Sequence, residues 1–115
     1  MFSLKRFFGR ERPLTPLLRE VGGLSFPSGH SFMSFSLCGI LIYIIHKMHW
    51  TRSLKYLTYV VLLIFTFFVG LSRIYLRVHY PSDVVAGFCM GMIWVVMSLF
   101  IMKMLERKST LKLNA

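Results

Sequence analysis

The chain has 115 residues, 56% of them hydrophobic and 16% aromatic, with a mean hydropathy of +0.64 and a net charge of +10. A soluble domain this small cannot cover so much apolar surface. Oil combined with a basic excess points to a membrane protein meeting anionic lipid or an anionic substrate. It argues against nucleic acid as a partner, because the basic residues do not share one solvated segment with interleaved aromatics.

The chain begins MFSLKRFFGRERP. This is not a secretory signal, since its apolar stretches are short and interrupted by charge. Lys5 and Arg12 stand two helical turns apart and share a face if the segment is helical. Pro13 discourages Arg12 from keeping helical backbone.

The stretch SFPSGHSF, Ser25 to Phe32, opens the first long apolar run. Pro27 presets a turn, and Gly29 permits close approach of the backbone. Ser28 has the side chain of a helix N-cap, so a helix is expected from Gly29 to His46. Its free N–H groups and positive dipole end form a cradle for an anion, with the His30 ring in reach. A satisfied interfacial histidine is the blander reading of His30. The connection HKMHWTRSLK follows, with His46 and His49 beside Lys47 as interfacial residues rather than metal ligands.

A second helix is expected over Leu54–Tyr75, with Arg73 near its end. The segment RIYLRVHYPSD then leads into a third helix over Ser82–Met104, for which Pro81 and Ser82 suit the first turn. Asp83 is the one acid between Glu20 and Glu106 and lies four residues after His79. A carboxylate that accepts from one imidazole nitrogen fixes the tautomer, frees the other nitrogen and raises the basicity of the ring. A helix-capping Asp beside an interfacial His is the alternative. Gly87 and Gly91 are spaced to let another helix approach, in ordinary packing or with a partner. Cys38 and Cys89 lie within apolar runs and read as buried, inert thiols. The tail ERKSTLKLNA reads as a solvated, frayed end.

No Asp, Glu, Lys or Arg occurs in 21–46, 56–72 or 84–102. About 20 mostly apolar residues span a bilayer, and these runs are apolar nearly all round rather than striped. The expected fold is therefore all-α, with three transmembrane helices in one segment, 1–115. Three crossings put the amino-terminal segment and the second connection on one side, with the first connection and tail on the other. Lys5, Arg12, His30, Arg73, His79 and Asp83 then gather in one layer. Intramembrane ionisable groups are costly and are kept mainly where they act. The three cations suit a group with several anionic oxygens, Arg by its fork of donors and Lys as a point charge; read singly, they could equally be snorkelling anchors. Together the parts describe phosphoryl transfer, with one imidazole attacking phosphorus and the other protonating the leaving oxygen. One carboxylate, no cysteine and three cations in the layer argue against a metal, and no cofactor is expected.

Three motifs carry a resemblance. KRFFGRERP fits K-x6-R-P, PSGH stands intact, and SRIYLRVHYPSD fits S-R-x5-H-x3-D. In this order, at helix ends, they resemble the type 2 phosphatidic acid phosphatase superfamily, which also includes vanadium haloperoxidases and bacterial undecaprenyl-diphosphatases. The resemblance covers about residues 5–90. It implies that His79 is the nucleophile forming a phosphohistidine, that Asp83 orients it, and that His30 is the acid toward the leaving group. Lys5, Arg12, Ser28, Gly29 and Arg73 would bind phosphate. Membrane members look like six-helix proteins with the first motif after the third helix. The chain thus resembles the carboxyl half of one, truncated at its amino terminus. The implied substrate is a lipid phosphate or diphosphate: undecaprenyl diphosphate first, with phosphatidic acid and phosphatidylglycerol phosphate open. The competing reading is an inactive membrane fragment that packs with a partner bundle, either a second copy or the amino-terminal half. A soluble haloperoxidase is disfavoured by the spanning runs.

Lys5, Arg6, Arg10, Arg12, Arg19, Arg73 and Arg77 lie on the site side; Lys47, Arg52, Lys55, Lys103, Arg107, Lys108 and Lys112 lie on the other. With the three phosphate-binding cations set aside, the balance favours a cytoplasmic first connection and tail. The expectation is a multi-pass protein of a bacterial plasma membrane with its site facing outward.

Overall fold

A computed structural model describes residues 2–13, 17 and 23–113. Arg19, which entered the charge count, lies outside the described residues, as does the side chain of Lys112. The elements in chain order are a short helix α1, Phe2–Phe8, and three long helices, α2 (Gly29–Lys47), α3 (Arg52–Tyr75) and α4 (Pro81–Leu113). All three long helices are apolar and long enough to cross a membrane. The expected all-α fold with three spans is the fold found.

The helix starts follow from local chemistry. Ser28 caps α2 and accepts from the Ser31 N–H at 3.4 Å. Pro81 opens α4, and the Tyr80 carbonyl accepts from the N–H groups of Asp83 and Val84. The Asp83 carboxylate reaches back to the Tyr80 N–H at 2.8 Å, which is the return half of a capping box. Asp83 therefore does have the capping role offered as its blander reading. Negative charge in a first turn also suits the helix dipole.

Where α3 ends, the backbone of Arg77 turns left-handed at φ 53°. The Val78 N–H bonds to the Arg73 carbonyl at 3.3 Å and the Arg77 N–H to that of Ile74 at 2.9 Å. This is a Schellman termination with arginine at the position usually held by glycine. The His79 N–H also reaches the Arg73 carbonyl, at 3.3 Å. The end of α3 thus aims the segment that carries His79.

Two sequence expectations change here. Lys5 and Arg12 do not share a helical face, because α1 stops at Phe8 and Gly9 caps it at φ 54°, its N–H bonding to the Lys5 carbonyl. The tail does not fray where expected, since α4 continues to Leu113. Its Glu, Arg, Lys and Leu are good helix formers, and its basic residues complement the carboxyl end of the dipole. At about 1.5 Å per residue, the 33 residues of α4 outrun a hydrocarbon core of about 30 Å, so its basic last turns stand clear of the span.

Helix α2 lies between α3 and α4, and glycines set the spacing. A Cβ on Gly87 would meet the Ser28 carbonyl oxygen at 2.6 Å, and one on Gly91 would meet Phe35 Cβ at 3.0 Å. The Gly87/Gly91 pair is therefore used within this chain, by α2. Gly39 accommodates Val95, and Gly70 accommodates Val84 and Phe88. Cys38 is buried as expected, but Cys89 is exposed on the outer side of α4.

Candidate active site

At one end of the spans, a cavity of about 420 Å³ is lined by Lys5, Arg12, Gly29, His30, Met33, Arg73, Val78 and His79. Six of the eight sequence-picked residues line it, drawn from four separate parts of the chain. Both imidazoles face the same space.

Two of the cations, Lys5 and Arg12, are held by main-chain carbonyls. Lys5 Nζ donates to the Leu24 carbonyl at 3.1 Å. Arg12 donates to the Gly23 carbonyl through Nε and to the Val78 carbonyl through Nη1, each at 3.0 Å. Arg12 thereby ties the amino-terminal segment to the residue just before His79. Arg73 Nε donates to the Ser72 hydroxyl at 3.2 Å. Burial pulls the pKa of Lys5 below the usual lysine value, and Arg12 pushes it further down while Asp83 opposes. Burial likewise lowers Arg12, again against Asp83. The site crowds positive charge that an anion would relieve.

His79 is almost wholly buried, and its Nδ1 has no hydrogen-bond partner. The nearest carboxylate oxygen, Asp83 Oδ2, is 3.6 Å away, a close ion contact rather than a hydrogen bond. The ring's pKa is lowered, first by burial and then by Arg12; Asp83 and the Ser25 backbone pull upward, and Lys5 pulls down. From sequence alone, the carboxylate four residues on is expected to raise the basicity of the ring. Burial beside Arg12 reverses the net sign and favours the neutral imidazole.

Two picked residues stand behind the lining. Ser28 is fully buried, and its hydroxyl accepts from the Ser31 hydroxyl at 3.0 Å, so its side chain serves the start of α2. Asp83 is also fully buried, behind His79. The sequence reading gave no site role to Arg10 or Ser25, yet both donate to the Asp83 carboxylate. Arg10 Nη1 bonds to Oδ1 at 3.0 Å, and the Ser25 hydroxyl bonds to Oδ2. Arg10 counted only as a charge, and Ser25 only as the residue opening SFPSGHSF. No spacing rule links either to position 83. Among the described residues, no three His, Cys, Asp or Glu side chains gather as a metal site.

Three basic residues and two imidazoles around one cavity, at the end of three spanning helices, define a multi-pass membrane protein with an anion-attracting site. The chain belongs to the PAP2 superfamily, whose family model matches residues 1–107. It is 35% identical over 92 residues to phosphatidylglycerophosphatase B of Bacillus subtilis, covering 78% of this chain and 45% of that protein. It is 34% identical over 86 residues to the lipid A 4'-phosphatase of Bacteroides thetaiotaomicron, covering 70% of this chain and 35% of that one. The crystal structure of a transmembrane PAP2-type phosphatidylglycerolphosphate phosphatase from Bacillus subtilis superposes with a TM-score of 0.76 at 31% identity, covering 93% of this chain and 52% of that chain. The chain thus spans about half the length, or less, of the relatives it matches.

Proposed function

We propose that the protein is a metal-independent phosphatase acting on a membrane lipid phosphate or diphosphate through a phosphohistidine on His79. The observation that carries this reading is the shared cavity, in which His30 and His79 stand among Lys5, Arg12 and Arg73. The cations and the amino-terminal backbone of α2 at Gly29 hold the phosphoryl oxygens and neutralise charge that develops on them. Neutral His79, with Nδ1 turned inward toward Asp83, attacks phosphorus through its other nitrogen. His30 protonates the departing oxygen, then takes a proton from the water that hydrolyses the phosphohistidine.

A lipid substrate is supported by the surface next to the cavity. Gly29 and Met33 line both the cavity and a groove of about 580 Å³ whose other walls are Phe32, Met90, Ile93, Trp94 and Met97. A phosphate in the cavity leaves its hydrocarbon tail along this groove, within the span. The relatives' names favour phosphatidylglycerol phosphate as the first substrate to test, ahead of undecaprenyl diphosphate, with phosphatidic acid third. The site faces outward from a bacterial plasma membrane, on the charge balance already given.

The test is phosphate release from each lipid by purified, detergent-solubilised protein in excess EDTA, with acid-quenched label trapped on histidine. Release that persists in chelator and is lost in His79→Ala supports the reading. No release from any of the three lipids favours the inactive membrane fragment, and loss of release in EDTA refutes the metal-independent mechanism.

A further inference from the structure

We infer that Arg10 and Ser25 are positioning residues that act through Asp83 to hold the His79 ring in its attacking tautomer. The inference rests on the phosphohistidine reading for its kinetic arm only.

Asp83 is fully buried, so each of its oxygens needs donors. Oδ1 receives the Arg10 guanidinium at 3.0 Å. Oδ2 receives the Ser25 hydroxyl and the Tyr80 N–H. Two of these donors are themselves tied together, because the Ser25 N–H bonds to the Arg10 carbonyl at 2.8 Å. Arg10 is fixed further by its 2.7 Å bond to the Ser82 hydroxyl and by stacking 4.4 Å over the Tyr80 ring. The carboxylate is gripped at both oxygens and cannot turn. Its Oδ2 edge is held 3.6 Å from His79 Nδ1, a buried nitrogen with no hydrogen-bond partner.

This geometry has a chemical consequence. An arginine ion pair and two further donors favour the ionised carboxylate. A fixed carboxylate beside Nδ1 favours the proton on that nitrogen and leaves the lone pair on the other. Freed from Arg10 and Ser25, Asp83 can swing to solvate itself, and the ring can then carry its proton on either nitrogen. The attack needs only one of the two tautomers.

The experiment uses the full chain in detergent micelles. Nitrogen-15 NMR of labelled histidine reads the His79 tautomer, with His79→Gln identifying its signals. Steady-state kinetics on the lipid hydrolysed by the wild type reads kcat and KM separately. Arg10→Gln and Ser25→Ala are expected to raise the share of the wrong tautomer and to lower kcat by about 10–100-fold, with KM within about twofold. Ser25→Thr, which keeps the hydroxyl, is expected to restore both. Arg10 is partly exposed, so Arg10→Gln provides a folded variant if Ser25→Ala does not fold. A wild-type tautomer ratio and wild-type kcat per folded molecule in Arg10→Gln overturn the inference. A rise in KM alone also overturns it, since that places Arg10 in substrate binding. If the wild type hydrolyses no lipid, the phosphohistidine reading fails by itself and the tautomer ratio alone decides between positioning and a purely structural role.

Discussion

The two ends of the bundle are built on different principles. At the site end, polar groups are buried: Ser25, Ser28, Ser31, His79 and Asp83 are all at most 4% exposed. At the far end, the polar contacts are on the surface. Lys47 and Glu106 meet at 3.7 Å with both side chains more than half exposed, and Lys55 reaches the His46 carbonyl. The apolar side chains invert the usual pattern of a soluble protein. Phe65, Phe67, Phe68, Ile93, Trp94 and Phe100 point outward, while among the described residues the buried hydrophobic side chains are few and small, such as Val78, Val84 and Val95. Lipid solvates the outer face, so hydrophobic burial does little to join the helices. What joins them at the site end is close backbone approach at Gly87 and hydrogen bonding to Asp83. The far end has neither and needs neither. A fixed constellation is required only where the charges converge.

The comparison can be broken most severely at His79. His79→Ala is expected to abolish phosphate release, a loss of about 10³-fold or more, while the helical circular dichroism stays as in the wild type. Asp83→Asn keeps the volume and the hydrogen bond to the Tyr80 N–H but removes the charge. It is expected to slow turnover by about 10–100-fold with little change in KM.

A second break acts through packing. Gly87→Ala puts a methyl group 2.6 Å from the Ser28 carbonyl oxygen and must push α4 away from the start of α2. We expect about 1–3 kcal/mol of destabilisation and a matching fall in activity, read by thermal unfolding in detergent. An unchanged Tm would show that the site end is as loosely joined as the far end.

The pH profile sharpens the contrast. Burial and Arg12 disfavour the charged His79 ring, so the neutral form persists below the usual 6.5 of histidine. The acid limb of kcat/KM should therefore lie below that value. Arg12→Gln, which removes a positive neighbour, should move the limb upward even as KM rises. The smallest effect is expected at the far end, where Glu106→Gln should leave Tm and activity unchanged.

Much of this protein was legible in its sequence because its solvent is simple. A bilayer demands long uncharged helices, and the uncharged runs marked all three; with the capping residues added, the expected site-side ends at Gly29, Tyr75 and Ser82 fall within one residue of those found. Pro27, Ser28, Pro81 and Asp83 announced helix starts by chemistry that acts within one turn. The motifs were equally readable, since residues at helix ends on one side must share a depth. The far boundary of α4 was missed because a basic, soluble helical extension and a frayed tail have similar composition.

By itself, then, the sequence determined the number of crossings and which residues share the site side, and it set His79 four residues before Asp83 without choosing between a pair and a helix cap. Only the tertiary structure decided how the parts meet. It brought Lys5 and Arg12 together through a turn at Gly9 rather than along a helix. It turned Ser28 inward to its own helix and set burial against the carboxylate in fixing the sign of the His79 shift. It placed Arg10 and Ser25 on Asp83, more than 50 positions along the chain. Short-range rules of capping and hydropathy act along the chain and can be read from it. Donors recruited to a buried carboxylate are selected by proximity in space, which a single sequence does not record.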